Sequence, residues 1–562
     1  MTRYFLLFFA FFLTTSLLAQ LDLSKEPITK ITYLVSYNGQ TDTSQNPIWV
    51  LASNNKVLVT SRDQMLGKSN YPREMMLVMP VQKIYSQYAF LNDSESVYMT
   101  DSSSIGKQQF EFSEETKQIL GHTCKKAKTV INSNTIELWY TTNAGFNAAP
   151  GLLGQSLGLV LQQVRNGNTV ITATDISKQN IQLPDYMTKA VSHKYNKLDY
   201  TDLLWRSRFT TIPLFDNQQI NFSDTFTARE GILRFANGTI VLRKVKFPVL
   251  SATSQIFLDL SERSTGDAYD RTGTVFLIAQ DKKQSFLDGL QQGASVLPSY
   301  ENGNGKKYQG VITTDSYSPA AELMRFFTPF GVGHFNDWLT LKDKIWHNSV
   351  PYRQEITDFA PLLSGREAYI GVFIGNYDKG GHTISANITI HQDDELKLPA
   401  RKAIPLFNTL NIMEMAGQEY GTMFSNEEGL KFNFRLDKPL KNATLRYITT
   451  GHGGWGNGDE FQQKKNTILL DGKTIFDLIP WREDCGSYRL FNPVSGNFPN
   501  GLSSSDYSRS NWCPGTVTNP YIISIGDINA GSHTIQVKIP QGAPEGTSFS
   551  AWNVSGVLIG EE

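Results

Sequence analysis

Apolar and polar residues alternate along most of this chain in bursts of five to eight. Ile31-Thr32-Tyr33-Leu34-Val35-Ser36-Tyr37, ahead of Asn38-Gly39, and Ile136-Glu137-Leu138-Trp139-Tyr140 are two such bursts. A period of two puts alternate side chains on opposite faces of a strand, and Asn-Gly suits the tight turn of a hairpin. Residues 21–195 therefore read as antiparallel strands forming a β-rich accessory domain. A polar passage from Lys189 to Arg208, with a helical-looking patch at Leu203-Leu204-Trp205, links it to the remainder. The strand rhythm resumes at Ile212, and the charged cluster Asp393-Asp394-Glu395 with Lys397 and Pro399 marks a second joint. The two blocks so defined, 205–394 and 395–562, each have the size of a β-sandwich. Asn237-Gly238, Asn302-Gly303, Asp471-Gly472 and Asn500-Gly501 punctuate them at hairpin positions. The expected class is all-β.

Length agrees, since 562 residues exceed what one core can organise and suggest about three domains. Charge excludes some partners: 52 basic against 53 acidic side chains leave no electrostatic footprint for nucleic acid or an anionic membrane, while sugars remain open. Residues 1–20 carry Arg3, an apolar run from Tyr4 to Leu18 broken only by Thr14, Thr15 and Ser16, and then Ala19. That pattern predicts a secretory signal peptide. The run is shorter than the ~20 residues that span a bilayer, so the expectation is a secreted or periplasmic protein with no membrane span after its removal.

Several motifs fail on context. Gly451-His452-Gly453-Gly454-Trp455-Gly456 fits the dinucleotide pattern, but Lys465-Asn466-Thr467-Ile468-Leu469-Leu470-Asp471-Gly472 behind it reads as a strand and turn, not the helix a pyrophosphate needs. Gly154-Gln155-Ser156-Leu157-Gly158 spells a serine nucleophile elbow, yet Leu159-Val160-Leu161 continues as a strand. The eight histidines form no paired motif, and His382 and His391 stand alone at polar strand ends. Neither zinc nor calcium spacing occurs, so no metal and no cofactor is implied. Three cysteines allow at most one internal bridge with one thiol over; Cys124 reads as a buried small hydrophobe.

The carboxylates remain. Asp270 follows Gly266-Asp267 and precedes Val275-Phe276-Leu277-Ile278, near a sheet edge, while Glu460 follows the Gly-rich loop. Taken alone, each is an ordinary turn or loop acid. Their surroundings change that reading: Asp267-Ala268-Tyr269-Asp270-Arg271, Arg325-Phe326-Phe327-Thr328-Pro329-Phe330, Thr357-Asp358-Phe359 with Leu362-Leu363-Ser364-Gly365, Gly458-Asp459-Glu460, and Arg509-Ser510-Asn511-Trp512-Cys513-Pro514-Gly515. In this order, over about residues 205–562, they resemble the peptide-N-glycosidase F family. Gly121-His122-Thr123-Cys124-Lys125-Lys126-Ala127, Trp139-Tyr140 and Pro150-Gly151-Leu152-Leu153-Gly154 make the first domain similar to secreted β-rich domains named for a Gly-Leu-Pro-Gly-Leu-Ile signature.

The resemblance implies two adjacent jelly rolls with the active cleft at their interface. It implies an amidase that cuts the β-amide joining asparagine to the first N-acetylglucosamine of N-glycoproteins or glycopeptides. Asp270 and Glu460 fall on the family's catalytic acids, Arg271, Arg509 and Trp512 on its substrate-site residues, and Tyr269 on an aromatic that can pack on a sugar. Cys485 and Cys513 match a family bridge, which would close a loop of about thirty residues worth roughly 3 to 4 kcal/mol. The chain also departs from the pattern. The cysteine pairs expected before Asp270 and around Glu460 are absent, the loop from Thr450 to Glu460 is shorter and leaves its sugar-facing tryptophan without an aligned equivalent unless Trp455 takes over, and Ile374 falls on a third acid. The last two changes predict a roomier, more apolar pocket that tolerates a core fucose. An endo-β-N-acetylglucosaminidase-like hydrolase and a non-catalytic glycan-binding protein are the alternatives.

Overall fold

The computed structural model describes residues 28–562 apart from 43, 54, 189, 190, 192, 224–228, 252, 332–339, 392–399, 411, 413–419, 454–457, 494–502 and 544–549. The chain is all-β and divides into two compact units, Met1–Phe209 and Thr210–Glu562. The leader 1–20 and the charged cluster at 393–395 lie outside the described residues.

The first unit is built on one 13-stranded sheet, in which His193–Lys194 pairs parallel with Ser96–Asp101. Period-two alternation feeds two cores. In Ile48–Ala52, Val50 and Ala52 enter one apolar cluster, while Leu51 enters another that Trp49 packs against. The strand Leu159–Arg165 follows the Gly-x-Ser-x-Gly stretch directly, so no nucleophile elbow forms. The helical patch is the helix Lys197–Arg206, started by Asn196, whose side chain accepts from the Asp199 N–H.

The second unit consists of two β-sandwiches of jelly-roll type. In the first, the sheet Thr210–Ile220, His382–His391, Gln255–Ser264, Val350–Glu355 faces the sheet Ile232–Phe235, Ile240–Lys246, Glu367–Ile374, Thr272–Ile278, Ala321–Phe327, Val517–Thr518. In the second, Arg401–Asn408, Ala551–Glu561, Leu440–His452 and Tyr521–Ile528 face Leu430–Leu436, Gly531–Lys538, Asn466–Leu470 and Lys473–Leu478. Asp471 and Gly472 both have positive φ (51° and 78°), the requirement of the hairpin turn joining those last two strands.

The six-stranded sheet is covered on both faces, which explains its continuous apolar runs. Val275 and Leu277 point into the core of the first sandwich, whereas Phe276 and Ile278 join a cluster with Phe407, Leu445 and Val554 of the second. Buried polar groups join the sandwiches as well. Arg325 pairs with Glu322 at 2.7 Å and donates to Thr450 Oγ1 and the Asn553 carbonyl. Arg446 in turn donates to the Glu322 and Leu323 carbonyls. Strand Val517–Thr518, beyond most of the second sandwich in sequence, crosses back to pair with Arg325 and Phe326.

Candidate active site

Asp270 ends the connection from Gln255–Ser264 to Thr272–Ile278. Its two neighbours are clamped by Thr328, whose hydroxyl accepts from the Arg271 N–H at 2.8 Å and donates to the Tyr269 carbonyl at 2.9 Å. Glu460 follows strand Leu440–His452 and is anchored by the residue before it. Asp459 is fully buried and accepts from Trp552 Nε1 at 2.8 Å and from the Gly542 N–H. Gly451 has no room for a side chain, since a Cβ would lie 2.9 Å from the Asp459 carbonyl and 2.7 Å from the Trp552 ring. Gly451 thus serves close packing behind Glu460.

Arg509 brings the two acids together. One guanidinium nitrogen, Nη1, stands 3.2 Å from Asp270 Oδ2 and also donates to Glu460 Oε1. Its Nη2 donates to the Ser504 carbonyl and hydroxyl, and its backbone forms a two-bond bridge with Arg482. Arg509 is fully buried, 4.3 Å above the Trp512 ring and 5.1 Å from that of Phe461.

Burial pushes Asp270 up to about 7, with Arg509 opposing and Glu460 adding to the shift. Burial also raises Glu460, against the pull of Arg509. Two acids on one cation at a water-poor site titrate as a pair, and near neutral pH the pair can hold a proton and a negative charge at once. That combination suits proton transfer to a poor leaving group and removal of a proton from water.

Residues 211–390 match the N-terminal domain of peptide-N-glycosidase F and residues 419–559 its C-terminal domain, while residues 31–202 match the N-glycanase peptide N-terminal domain. Two structures of PNGF-II, in space groups P21 and C2, are 53% identical to the chain and cover 96% of it, with 100% and 98% of their own chains aligned and TM-scores of 0.88 and 0.87. The chain belongs to the peptide-N-glycosidase F family. A structure of PNGase F, a glycosylasparaginase from Flavobacterium meningosepticum, is 18% identical over 63% of this chain and 96% of its own, with a TM-score of 0.41. No curated protein sequence matches the chain. As a peptide-N-glycosidase F family member it is an amide hydrolase, and its expected site residues fall as follows.

Asp270, Glu460 and Arg509 form one cluster. Arg271 lies beside it, its guanidinium 4.9 Å from the Tyr269 ring and 5.8 Å from that of Tyr377. Tyr269 and Tyr377 are 63% and 60% exposed. Tyr377 escaped the sequence reading because its tie to Arg271 spans a hundred residues. Trp512 is different: it is 3% exposed, stacks on Phe327 at 4.2 Å, supports Arg509 and donates from Nε1 to the Gly451 carbonyl. It is too enclosed to present a face to a sugar. Trp455 lies outside the described residues. Cys485 and Cys513 are bonded and buried, tying the Arg509 loop to the segment after Arg482.

Two further expectations are corrected. Ile374 is fully buried among Val275, Phe326 and Val372 in the first sandwich core, so a residue there does not shape the cleft. His382 is no isolated strand-end residue either: it is buried with Nδ1 2.8 Å from Glu262 Oε1.

Proposed function

We propose that this chain hydrolyses the β-amide between an asparagine side chain and the first N-acetylglucosamine of N-glycoproteins, releasing the intact glycan and leaving aspartate. The observation that carries this reading is the pair of partly buried acids meeting on one nitrogen of Arg509 beside the exposed rings of Tyr269 and Tyr377. In this reading Asp270, raised by burial, holds the shared proton and delivers it to the departing glycosylamine nitrogen. Glu460, the closer partner of Arg509, stays ionised and takes a proton from the attacking water. Arg509 keeps the acids in register and offsets charge as the tetrahedral intermediate forms. Tyr269 and Tyr377 stack on sugar rings and Arg271 between them donates to sugar oxygens, while Trp512 supports Arg509 from below.

We further propose export through the leader at 1–20; no helix of the described residues is long and apolar enough to cross a membrane. Tolerance of core fucose keeps one support, the short connection from Thr450 to Glu460, because Ile374 faces the core. Digestion of a denatured glycopeptide in ¹⁸O-water tests the main reaction. Aspartate carrying one ¹⁸O is expected. A single N-acetylglucosamine left on the peptide would instead mean cleavage between sugars, and an unchanged glycopeptide would mean binding alone. Matched glycopeptides with and without core 1,3-fucose test the finer point, which release from the unfucosylated peptide alone would reject.

A further inference from the structure

The segment that carries Asp270 has no disulfide among the described residues, yet it is held at every step. Thr265 and Asp267 donate their N–H groups to the Gly381 carbonyl. Asp267, its side chain almost fully buried, accepts from the Tyr269 N–H at 3.0 Å and from Arg271 Nε at 2.7 Å. Both residues flanking Asp270 are therefore bound to one carboxylate. Behind that carboxylate stands His382, paired across the sheet with Ser264. Its Nε2 lies 3.7 Å from Asp267 Oδ2 and its Nδ1 lies 2.8 Å from Glu262 Oε1, and all three side chains are buried.

Both ring nitrogens face carboxylate oxygens. A neutral imidazole would turn a lone pair toward one of them, whereas an imidazolium turns an N–H toward each. Charge agrees: with both carboxylates ionised, Glu262, His382, Asp267 and Arg271 sum to zero when His382 is protonated, whereas a neutral His382 would leave two buried carboxylates to one arginine. Two further titratable groups border this cluster: Tyr352, whose hydroxyl donates to the Phe327 carbonyl and stands beside Glu262, and Asp378, whose Oδ1 accepts from the Gly380 and Gly381 N–H groups.

We propose that His382 is a positioning residue for the amide-cleaving site: as an imidazolium between Glu262 and Asp267 it fixes the Asp267 hub and, through it, the place of Asp270 against Arg509. The proposal rests on Asp270 being the acid of the proposed reaction. Burial alone would lower His382, but Asp267 and Glu262 overcome it and hold the ring at about 9, while Asp267 is held down to about 2 against its own burial by His382 and Arg271. The hub is thus fully charged through the neutral range and fails as pH passes about 9, when His382 gives up its proton.

The test begins without substrate. In the full-length protein labelled with ¹³C at histidine rings, one resonance, assigned by its absence from His382→Gln, should titrate near pH 9. A ring that is neutral at pH 7 overturns the proposal. With glycopeptide, wild-type kcat should fall first as Asp270 loses its proton near pH 7, and then again along a second alkaline limb with the midpoint of the His382 resonance. His382→Gln should lower kcat about 10- to 100-fold at pH 7.5, as expected for a displaced reacting group, leave KM within about threefold, and lack that limb. Glu262→Gln, which removes one stabilising charge and keeps the Asp267 contact, should move the limb down by about one pH unit or more. A folded His382→Gln protein with wild-type kcat and pH profile, or a limb that Glu262→Gln leaves in place, overturns the proposal. If the wild-type protein releases no glycan, the reading of the site has failed instead. The Asp270 carboxyl titration then decides for His382, and a midpoint unchanged by His382→Gln rejects its role.

Discussion

Replacing Asp270 by asparagine should yield a protein that is nearly inactive and more stable than its parent. Asp270 has an ordinary value of 3.8 and stands at about 7 because burial outweighs the pull of Arg509 and Glu460 adds repulsion. The folded protein binds this proton more tightly than the unfolded chain does. Its contribution to stability is therefore complete below about pH 4, and is lost as pH rises through about 7. A carboxyl displaced by this much represents a ceiling of about 4 kcal/mol. Two features lower it: Asp270 keeps 17% of its side chain exposed, and the variant leaves buried Arg509 with Glu460 as its only carboxylate. We expect Asp270→Asn to be about 1 to 2 kcal/mol more stable than wild type at pH 8 and to show no gain at pH 4. Urea unfolding followed by tryptophan fluorescence across that range measures the difference, and glycopeptide digestion should show release reduced by ~10²- to 10⁴-fold. A stability difference that is flat with pH, or of the opposite sign at pH 8, would refute the account of the buried pair. More than half the wild-type rate would remove Asp270 from the chemistry.

Glu460→Gln should also cut release by roughly 100-fold or more. By removing repulsion it should shift the Asp270 titration to lower pH; a midpoint that does not move would mean the acids are not coupled. Cys485→Ser opens a bridge spanning 28 residues, for which chain entropy gives a loss of about 4 kcal/mol. Glycopeptide KM should rise with it, because that loop bears Arg509, and detection of free thiols in the wild-type protein would defeat the idea. Ile374→Glu places a carboxylate in a closed apolar core and should destabilise by about 3 to 5 kcal/mol without changing fucose discrimination in whatever fraction folds. A stable variant with altered glycan preference would show that position 374 does reach the cleft.

Strand character was legible in the sequence because a period of two is local, and so were hairpins such as that at Asp471-Gly472. Ile374 shows where that legibility stops. Its strand lies in a sheet buried on both faces, so alternation says which residues share a face but not which face is core and which borders a cleft. Resemblance marked Asp270, Glu460 and Arg509, yet their meeting on one nitrogen depends on two sandwiches and a crossing strand. His382 was unreadable for a related reason: Glu262 lies 120 positions away in the chain, and neither residue has a telling neighbour. Trp512 was placed among the substrate-site residues by resemblance alone, and nothing in its neighbours shows that it is enclosed. Phe327, which covers it, comes from the other sandwich.

The six-stranded sheet, apolar on both sides, limits how the enzyme can be taken apart. Cutting the chain between the sandwiches would leave the first with Phe276, Ile278 and Phe373 facing water, a surface of the kind that makes isolated fragments aggregate. It would also lack the edge strand Val517–Thr518, leaving open the pairing edge of Ala321–Phe327. The two sandwiches are therefore one unit of folding. A chimaera that exchanged either half would have to bring the matching half with it.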